Sequence, residues 1–177
     1  MIITGGKYKG RKIIAPDENI TRPTLSKVIM GVFNTLYSIL GDFNDKSFLD
    51  MFGGSGVMGL EAISRGFDKV VVFEKNRQVA NIIKSNYSEL GLTPDLHIGD
   101  SIKLVRKLAD CYDVIFVDPP YMSGIYDNVT EWLKTDDKTN GSIIVFEHVT
   151  EQDLSGFEII KQKKYGDKYL TFMRKKG

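Results

Sequence analysis

Four carboxylates stand at the same kind of place in this chain. "SFLD" ends on Asp50, "KVVVFE" on Glu74, "DLHIGD" on Asp100 and "DVIFVD" on Asp118. A single acid after an apolar run reads as a solvated strand end or a helix cap. Four in series are more specific than any one of them. If the runs are parallel strands, all four acids lie along the carboxyl edge of one sheet, where doubly wound α/β proteins bind their ligands.

The first acid is followed by "MFGGSGVMG". Gly53, Gly54, Ser55 and Gly56 make a turn between strand and helix that lets backbone approach a ligand closely. The spacing fits the dinucleotide pattern G-x-G-x-x-G poorly, because the glycines are bunched. Asp50 in front of them would repel a pyrophosphate and would suit a cation or an ammonium group. S-adenosylmethionine carries both a sulfonium and an amino group. Glu74 follows the glycines by about 20 residues, the place from which an acid holds ribose hydroxyls, and Lys75 adjoins it. Asp100 with Ser101 could accept from the exocyclic amine of an adenine, or Asp100 could simply cap the helix that begins at Ser101; both readings stay open.

"DVIFVDPPYMSG" adds a different chemistry. Pro119 and Pro120 lack an N–H and have a fixed φ, so they stiffen the chain and can hold a backbone carbonyl towards a ligand. Tyr121 supplies a flat face. Asp118 and the Pro119 carbonyl could accept the two hydrogens of an exocyclic NH2 group, drawing its lone pair towards an electrophilic methyl, while Tyr121 stacks on the ring. A base held in this way has to leave its helix or loop. A rigid turn with a tyrosine accounts for the prolines but not for Asp118 joining the other acids.

The rest of the chain supplies the scaffold. Its 177 residues predict one domain with a small appendage. From Lys46 onwards apolar strands alternate with helical patterns, which predicts a doubly wound α/β sheet. "GFEIIKQKKYGDKYLTFMRKK" closes it as an antiparallel hairpin around Gly166-Asp167. Before Lys46, "MIITGGKYKGRKIIAP" predicts a β-hairpin, Arg22-Pro23 a loop, and Val28, Phe33, Leu36, Tyr37 and Leu40 one face of a helix stopped by Gly41. The division expected is therefore an extension over 1–45 and a catalytic domain over 46–177. Net charge is +1, but unevenly spread: residues 1–16 carry four bases and no acid, 157–177 seven bases and two acids, and the centre is acidic. Basic segments can seat a phosphate backbone. One cysteine and two histidines offer no disulfide and no legible metal site. The apolar runs are too short to span a membrane and the N-terminus does not read as a signal peptide, so a cytoplasmic protein is expected. His97 reads as a strand residue and His148 as a surface residue at a strand end.

"DPPY" after a strand, "LDMFGGSG" upstream, and "GGKYKGRKI…RPT…VFN" at the start together resemble the bacterial 16S ribosomal RNA guanine-N2 methyltransferases. The resemblance covers nearly the whole chain, and the N-terminal stretch is its selective part, since "DPPY" also occurs in adenine-N6 enzymes. It implies a Rossmann-like class I fold with a seven-stranded mixed sheet. Asp50, Gly53 and Gly56 would lie along the methionine end of S-adenosylmethionine, with Glu74 at the ribose, Asp100 and Ser101 at the adenine, and Asp118 to Tyr121 at the target guanine. Lys7, Lys9, Arg11 and Arg22 would contact 16S rRNA, free or within a small-subunit assembly particle, and the enzyme would work as a monomer without metal. One departure is that Ile29-Met30 stands where the family usually has an Arg-Glu pair, with Lys27 keeping part of the charge. An adenine-N6 enzyme, a non-catalytic ribosome-assembly protein and a dinucleotide oxidoreductase are the alternatives, in that order.

Overall fold

The structure is a computed structural model and describes residues 1–16, 26–121 and 124–177. Seven strands form one sheet: β1 (Ser47–Asp50), β2 (Lys69–Glu74), β3 (Asp95–Ile98), β4 (Val114–Val117), β5 (Ile143–His148), β6 (Phe157–Tyr165) and β7 (Lys168–Lys175). They lie in the order β3-β2-β1-β4-β5-β7-β6. β1 to β5 are parallel, and β7 enters antiparallel between β5 and β6. The mixed seven-stranded sheet expected from the sequence is the one observed. β4 and β5 are buried along their whole length, as all-apolar "VIFV" and "IIVF" in the sheet centre demand.

Side-chain alternation sends the two faces of the sheet into separate cores. Phe48, Val72, Val114, Phe116, Val145 and Phe172 pack with α1 (Ser26–Leu40), α2 (Val57–Arg65) and α3 (Arg77–Ser88). Leu49, Val71, Phe73, Ile115, Val117, Ile144 and Phe146 face the opposite core, which holds Val105 of α4 (Ser101–Val105) and Val129, Trp132 and Leu133 of α5 (Ile125–Thr135). The chain runs from β1 outwards through β2 to β3, then returns to place β4 on the other side of β1. That reversal opens a crevice between the carboxyl ends of β1 and β4. Asp50 pairs with Phe116, so Asp118 stands only two residues beyond Asp50 along the same edge.

The N-terminal segment doubles back through a single antiparallel bridge, Ile2 to Lys12, rather than the ladder of a full hairpin. Its hold on the body comes from helix side chains. The buried Glu61 carboxylate of α2 accepts from the Thr4 N–H (2.8 Å), the Thr4 hydroxyl and Arg65 Nε (2.7 Å). Asn86 of α3 accepts from the Ile14 N–H and donates back to its carbonyl, at 2.7 and 2.8 Å. Gly6, at φ +74, runs so close to α2 that a Cβ there would sit 1.8 Å from the Ser64 carbonyl oxygen. Ile3 and Ile13 join the core that α1 shares with the sheet.

Two expectations need correcting. Tyr37 is exposed and lies on the outer face of α1 with Met30, because helical spacing alone does not say which face is inward. His148 is buried, not on the surface: its ring stacks on Tyr169, Nε2 meets the Thr171 hydroxyl and Nδ1 the Thr150 carbonyl. Ile29 is fully buried and Met30 exposed, so only one position of that departing pair faces solvent. Arg22 and its loop lie outside the described residues.

Candidate active site

The carboxyl edge carries a cleft of about 400 Å³ lined by Phe52, Gly54, Phe73, Glu74, Lys75, Asp100, Ser101, Ile102, Asp118 to Tyr121, Ile125 and Lys168. The volume suits a small-molecule site, and the mix of apolar walls with a few convergent polar groups is the usual lining of one.

At the end nearest β2 the acids are held by backbone. The glycine turn folds back so that Gly54 N–H donates to Glu74 Oε2 at 3.0 Å, while Asn76 N–H donates to Oε1 at 2.7 Å. A carboxylate has about four lone-pair sites, so Glu74 retains capacity for a vicinal diol. Asp100 Oδ1 accepts from Lys103 N–H at 3.1 Å, which makes it the cap of α4 while it also lines the cleft. Ser101 is buried and donates its hydroxyl to the Met51 carbonyl, tying α4 to β1.

Gly53, Ser55 and Gly56 form the frame of the turn rather than its open surface. Gly53 N–H donates to the Phe73 carbonyl at 2.7 Å, and a Cβ on it would meet Val72 at 2.5 Å. Glycine there is a packing requirement. Gly56 N–H donates to the Gly53 carbonyl, and the buried Ser55 takes the Val57 N–H on its hydroxyl and the Asn86 amide on its carbonyl. Behind the turn, Asp50 is wholly buried. Its Oδ1 accepts from Phe52 N–H at 3.2 Å and its Oδ2 has no partner among the described residues. Burial, opposed by that amide and reinforced by the charge of Glu74, raises its carboxyl to about 7. Asp50 itself does not line the cleft, whose nearest lining residues in the chain are Phe52 and Gly54; its orphaned oxygen fits a ligand that reaches in with a cationic donor.

At the other end Asp118 is half-buried, Pro119 buried, and Tyr121 exposed at the mouth. Two residues that sequence reasoning missed complete this end. Glu147, the last acid of β5, is fully buried; Oε1 takes the Tyr121 hydroxyl at 3.2 Å and the Lys168 ammonium. Lys168, first residue of β7, reaches back across the edge with its Nζ 5.6 Å from the centroid of the Tyr121 ring. The Asp118 carboxyl is held well above the ordinary carboxylate range, by burial first and then by the neighbouring charge of Glu147, with Lys168 opposing. Burial would lower the Lys168 ammonium, but Asp118 and Glu147 outweigh it and keep the proton on. Glu147 carried the same signal as the other four acids, an apolar run ending on a carboxylate in "SIIVFE".

The basic residues of the N-terminal segment stay outside the cleft. Lys7, Lys9 and Arg11 are exposed, and Arg11 is partly engaged, its guanidinium donating to the Glu89 carbonyl at the end of α3 at 3.0 Å.

The parallel sheet reversed at β1 and β4, the antiparallel β7 inserted beside β5, and a glycine turn between acids define the class I methyltransferase fold. The chain belongs to the family described as conserved hypothetical protein 95, which matches residues 1–174, and within it to the group that includes ribosomal RNA small subunit methyltransferase D. It is 30% identical to the Escherichia coli K12 protein of that name over 133 residues, 75% of this chain and 66% of that one. It is 28% identical to "Putative rRNA methyltransferase YlbH" of Bacillus subtilis over 191 residues and the whole of both chains. Among solved structures, "Putative methyltransferase yhhF" from Escherichia coli superposes with a TM-score of 0.84 at 23% identity, covering 99% of this chain and 97% of that one.

Proposed function

We propose that this protein transfers a methyl group from S-adenosylmethionine to the exocyclic N2 amine of a guanine in small-subunit rRNA. The observation that carries the reading is the placement of Asp118 and its proline-locked successors across the strand-order reversal from Asp50, opening onto one cleft with Glu74 and Asp100. S-adenosylmethionine supplies an electrophilic methyl group. Asp50 meets its ammonium group, Glu74 its ribose hydroxyls, Phe52, Phe73 and Ile102 the adenine faces, and Asp100 the adenine amine. Asp118 and the Pro119 carbonyl hold the hydrogens of the target amine, and Tyr121 forms a platform for the flipped base. The names of the relatives direct the choice of rRNA over DNA. The preference for guanine over adenine rests on the resemblance of the N-terminal stretch.

The test is methyl transfer from labelled S-adenosylmethionine to free rRNA, assembled small subunits and naked DNA, with nucleoside analysis of the product. N2-methylguanine in rRNA is expected. N6-methyladenine, or label in DNA alone, would replace the reading with the adenine alternative. Tight RNA binding with no label in any substrate would leave a non-catalytic assembly protein.

A further inference from the structure

Glu147 has a hydrogen-bonding capacity that holding Tyr121 and Lys168 does not exhaust. Both of those groups sit on Oε1, while Oε2 is buried with no partner among the described residues. Val117 pairs with Phe146 in the parallel ladder of β4 and β5, so Asp118 and Glu147, each the next residue, stand side by side at the carboxyl edge. Among the described residues, the polar groups facing this pair are Lys168 from β7, Asp50 from β1, Tyr121 from the proline turn and Tyr126 from α5. Of these four, Lys168 is the cation. Two adjoining carboxylates in a site of low dielectric do not both stay bare anions. With Lys168 charged and Asp118 holding its proton more firmly than an ordinary carboxyl, the site still has room for a further proton on its carboxylate oxygens.

Methylation of an amine produces one proton. As the nitrogen lone pair bonds to the methyl carbon, the carbon–sulfur bond breaks and its electron pair stays on sulfur as a neutral thioether. The nitrogen then has four bonds and a positive charge, and becomes neutral only by losing a hydrogen as H⁺. We propose that Asp118 and Glu147 act as one proton-accepting unit, Asp118 taking the proton from the methylated nitrogen and Glu147 sharing it through Oε2, with Lys168 keeping the unit from filling beforehand. This rests on the amine-methylation reading above. It makes Asp118 the catalytic residue and Glu147 and Lys168 its positioning residues.

Two substitutions separate the idea from a structural role, because they should move the pH response in opposite directions. Glu147→Gln keeps an oxygen for Tyr121 and Lys168 but removes the second proton site and the negative neighbour. Asp118 should then ionise at lower pH, and the acidic limb of single-turnover methylation should move down with it. The plateau rate should fall by about tenfold to a hundredfold, at or below the low end for a positioned proton acceptor. Lys168→Met removes the cation, so the limb should move up. Carboxyl-carbon NMR of the free, full-length protein follows the same titration without cofactor or RNA. The pair is expected to titrate in two coupled steps that collapse to one lower step in Glu147→Gln. An active wild type whose acidic limb is unmoved in either folded variant overturns the proton-accepting unit, and so does an Asp118 titration that ignores Glu147→Gln. A wild type inert on every nucleic acid, with the coupled titration intact, instead removes the methylation reading.

Discussion

The two ends of the cleft secure their carboxylates in opposite ways. Near β2, Glu74 takes the N–H groups of Gly54 in the glycine turn and of Asn76, and Asp100 takes that of Lys103 in α4, so both acids are held by backbone amides. Near β5, Asp118 and Glu147 adjoin at the ends of neighbouring strands, with Lys168 bonded to Glu147 and one Glu147 oxygen without a partner among the described residues. The difference matches what the proposed function asks of each end. An acid fixed by amides is a finished receptor: it presents remaining lone pairs at set positions and changes little when a ligand arrives. Two acids in conflict hold electrostatic potential in reserve, which a developing positive charge can relieve. Preorganised charge of that kind is where most catalytic stabilisation resides.

The sharpest way to break this comparison is to remove one acid from each end and exchange the readouts. Asp118→Ala should abolish most methyl transfer while S-adenosylmethionine still binds. Asp118→Asn keeps an acceptor but loses the charge, and should slow single-turnover methylation by about a hundredfold or more. Should Asp118→Ala turn over at the wild-type rate with saturating cofactor, the proline turn is only a stiff corner. Glu74→Ala should do the reverse, weakening cofactor binding by at most about 1.5–3 kcal/mol for each charge-assisted bond removed, with an added loss because the Gly54 and Asn76 amides are released. Calorimetry that finds unchanged affinity would take Glu74 out of the site.

Asp50 sharpens the contrast, since it lies between the two ends and shares features of both. One oxygen is held by an amide and the other is orphaned. Its carboxyl stands at about 7 in the folded protein against 3.8 ordinarily, mainly through burial. Between those values the folded chain keeps a proton that the unfolded chain has released, so stability falls as pH rises through this window and levels off above it. Asp50→Asn should lack that decline and be the more stable form above pH 7, by a few kcal/mol at most. Denaturant unfolding on both sides of the window measures it. A ligand ammonium reverses the preference, so S-adenosylmethionine binding should expel a proton near pH 7, seen by calorimetry as a heat that depends on the buffer. Equal heats in all buffers would place Asp50 away from the ligand.

Much of this site was legible because its signals are local. An apolar run ending on an acid marks a strand end whatever the rest of the chain does, and that rule picked out Glu74, Asp100 and Asp118, which line the cleft, and Asp50, which is buried and does not line it. Glu147 obeyed it too, but stood beside no glycine turn or proline pair to draw attention. Lys168 was hidden for a physical reason: it sits among the C-terminal bases in sequence, and only the entry of β7 between β5 and β6 brings it to the edge. The frame roles of Gly53, Ser55 and Gly56 were equally beyond reach, because glycine spacing does not tell a ligand contact from a close helix–sheet approach. The anchoring of the N-terminal segment by Glu61 and Asn86 depends on partners more than 50 residues away.

That anchored segment gives the smallest expected effect and the cleanest control, because its bases touch neither end of the cleft. Lys7 and Lys9 are exposed, while Arg11 already donates to the end of α3. Changing all three to Ala should leave the titrations, the cofactor affinity and the single-turnover rate at saturating RNA unaltered. RNA binding should weaken, and its logarithmic salt slope should flatten by about 0.7–0.9 for each phosphate that is no longer neutralised. Arg11 should contribute least, since its guanidinium must abandon the Glu89 carbonyl or share itself with a phosphate. The single variants test that order: Lys7→Ala and Lys9→Ala should each move the slope more than Arg11→Ala does. The opposite order would mean that Arg11 is held at α3 as a preset phosphate clamp. An unchanged slope in the triple variant would mean that these are solvated charges and that RNA docks on another face of the protein.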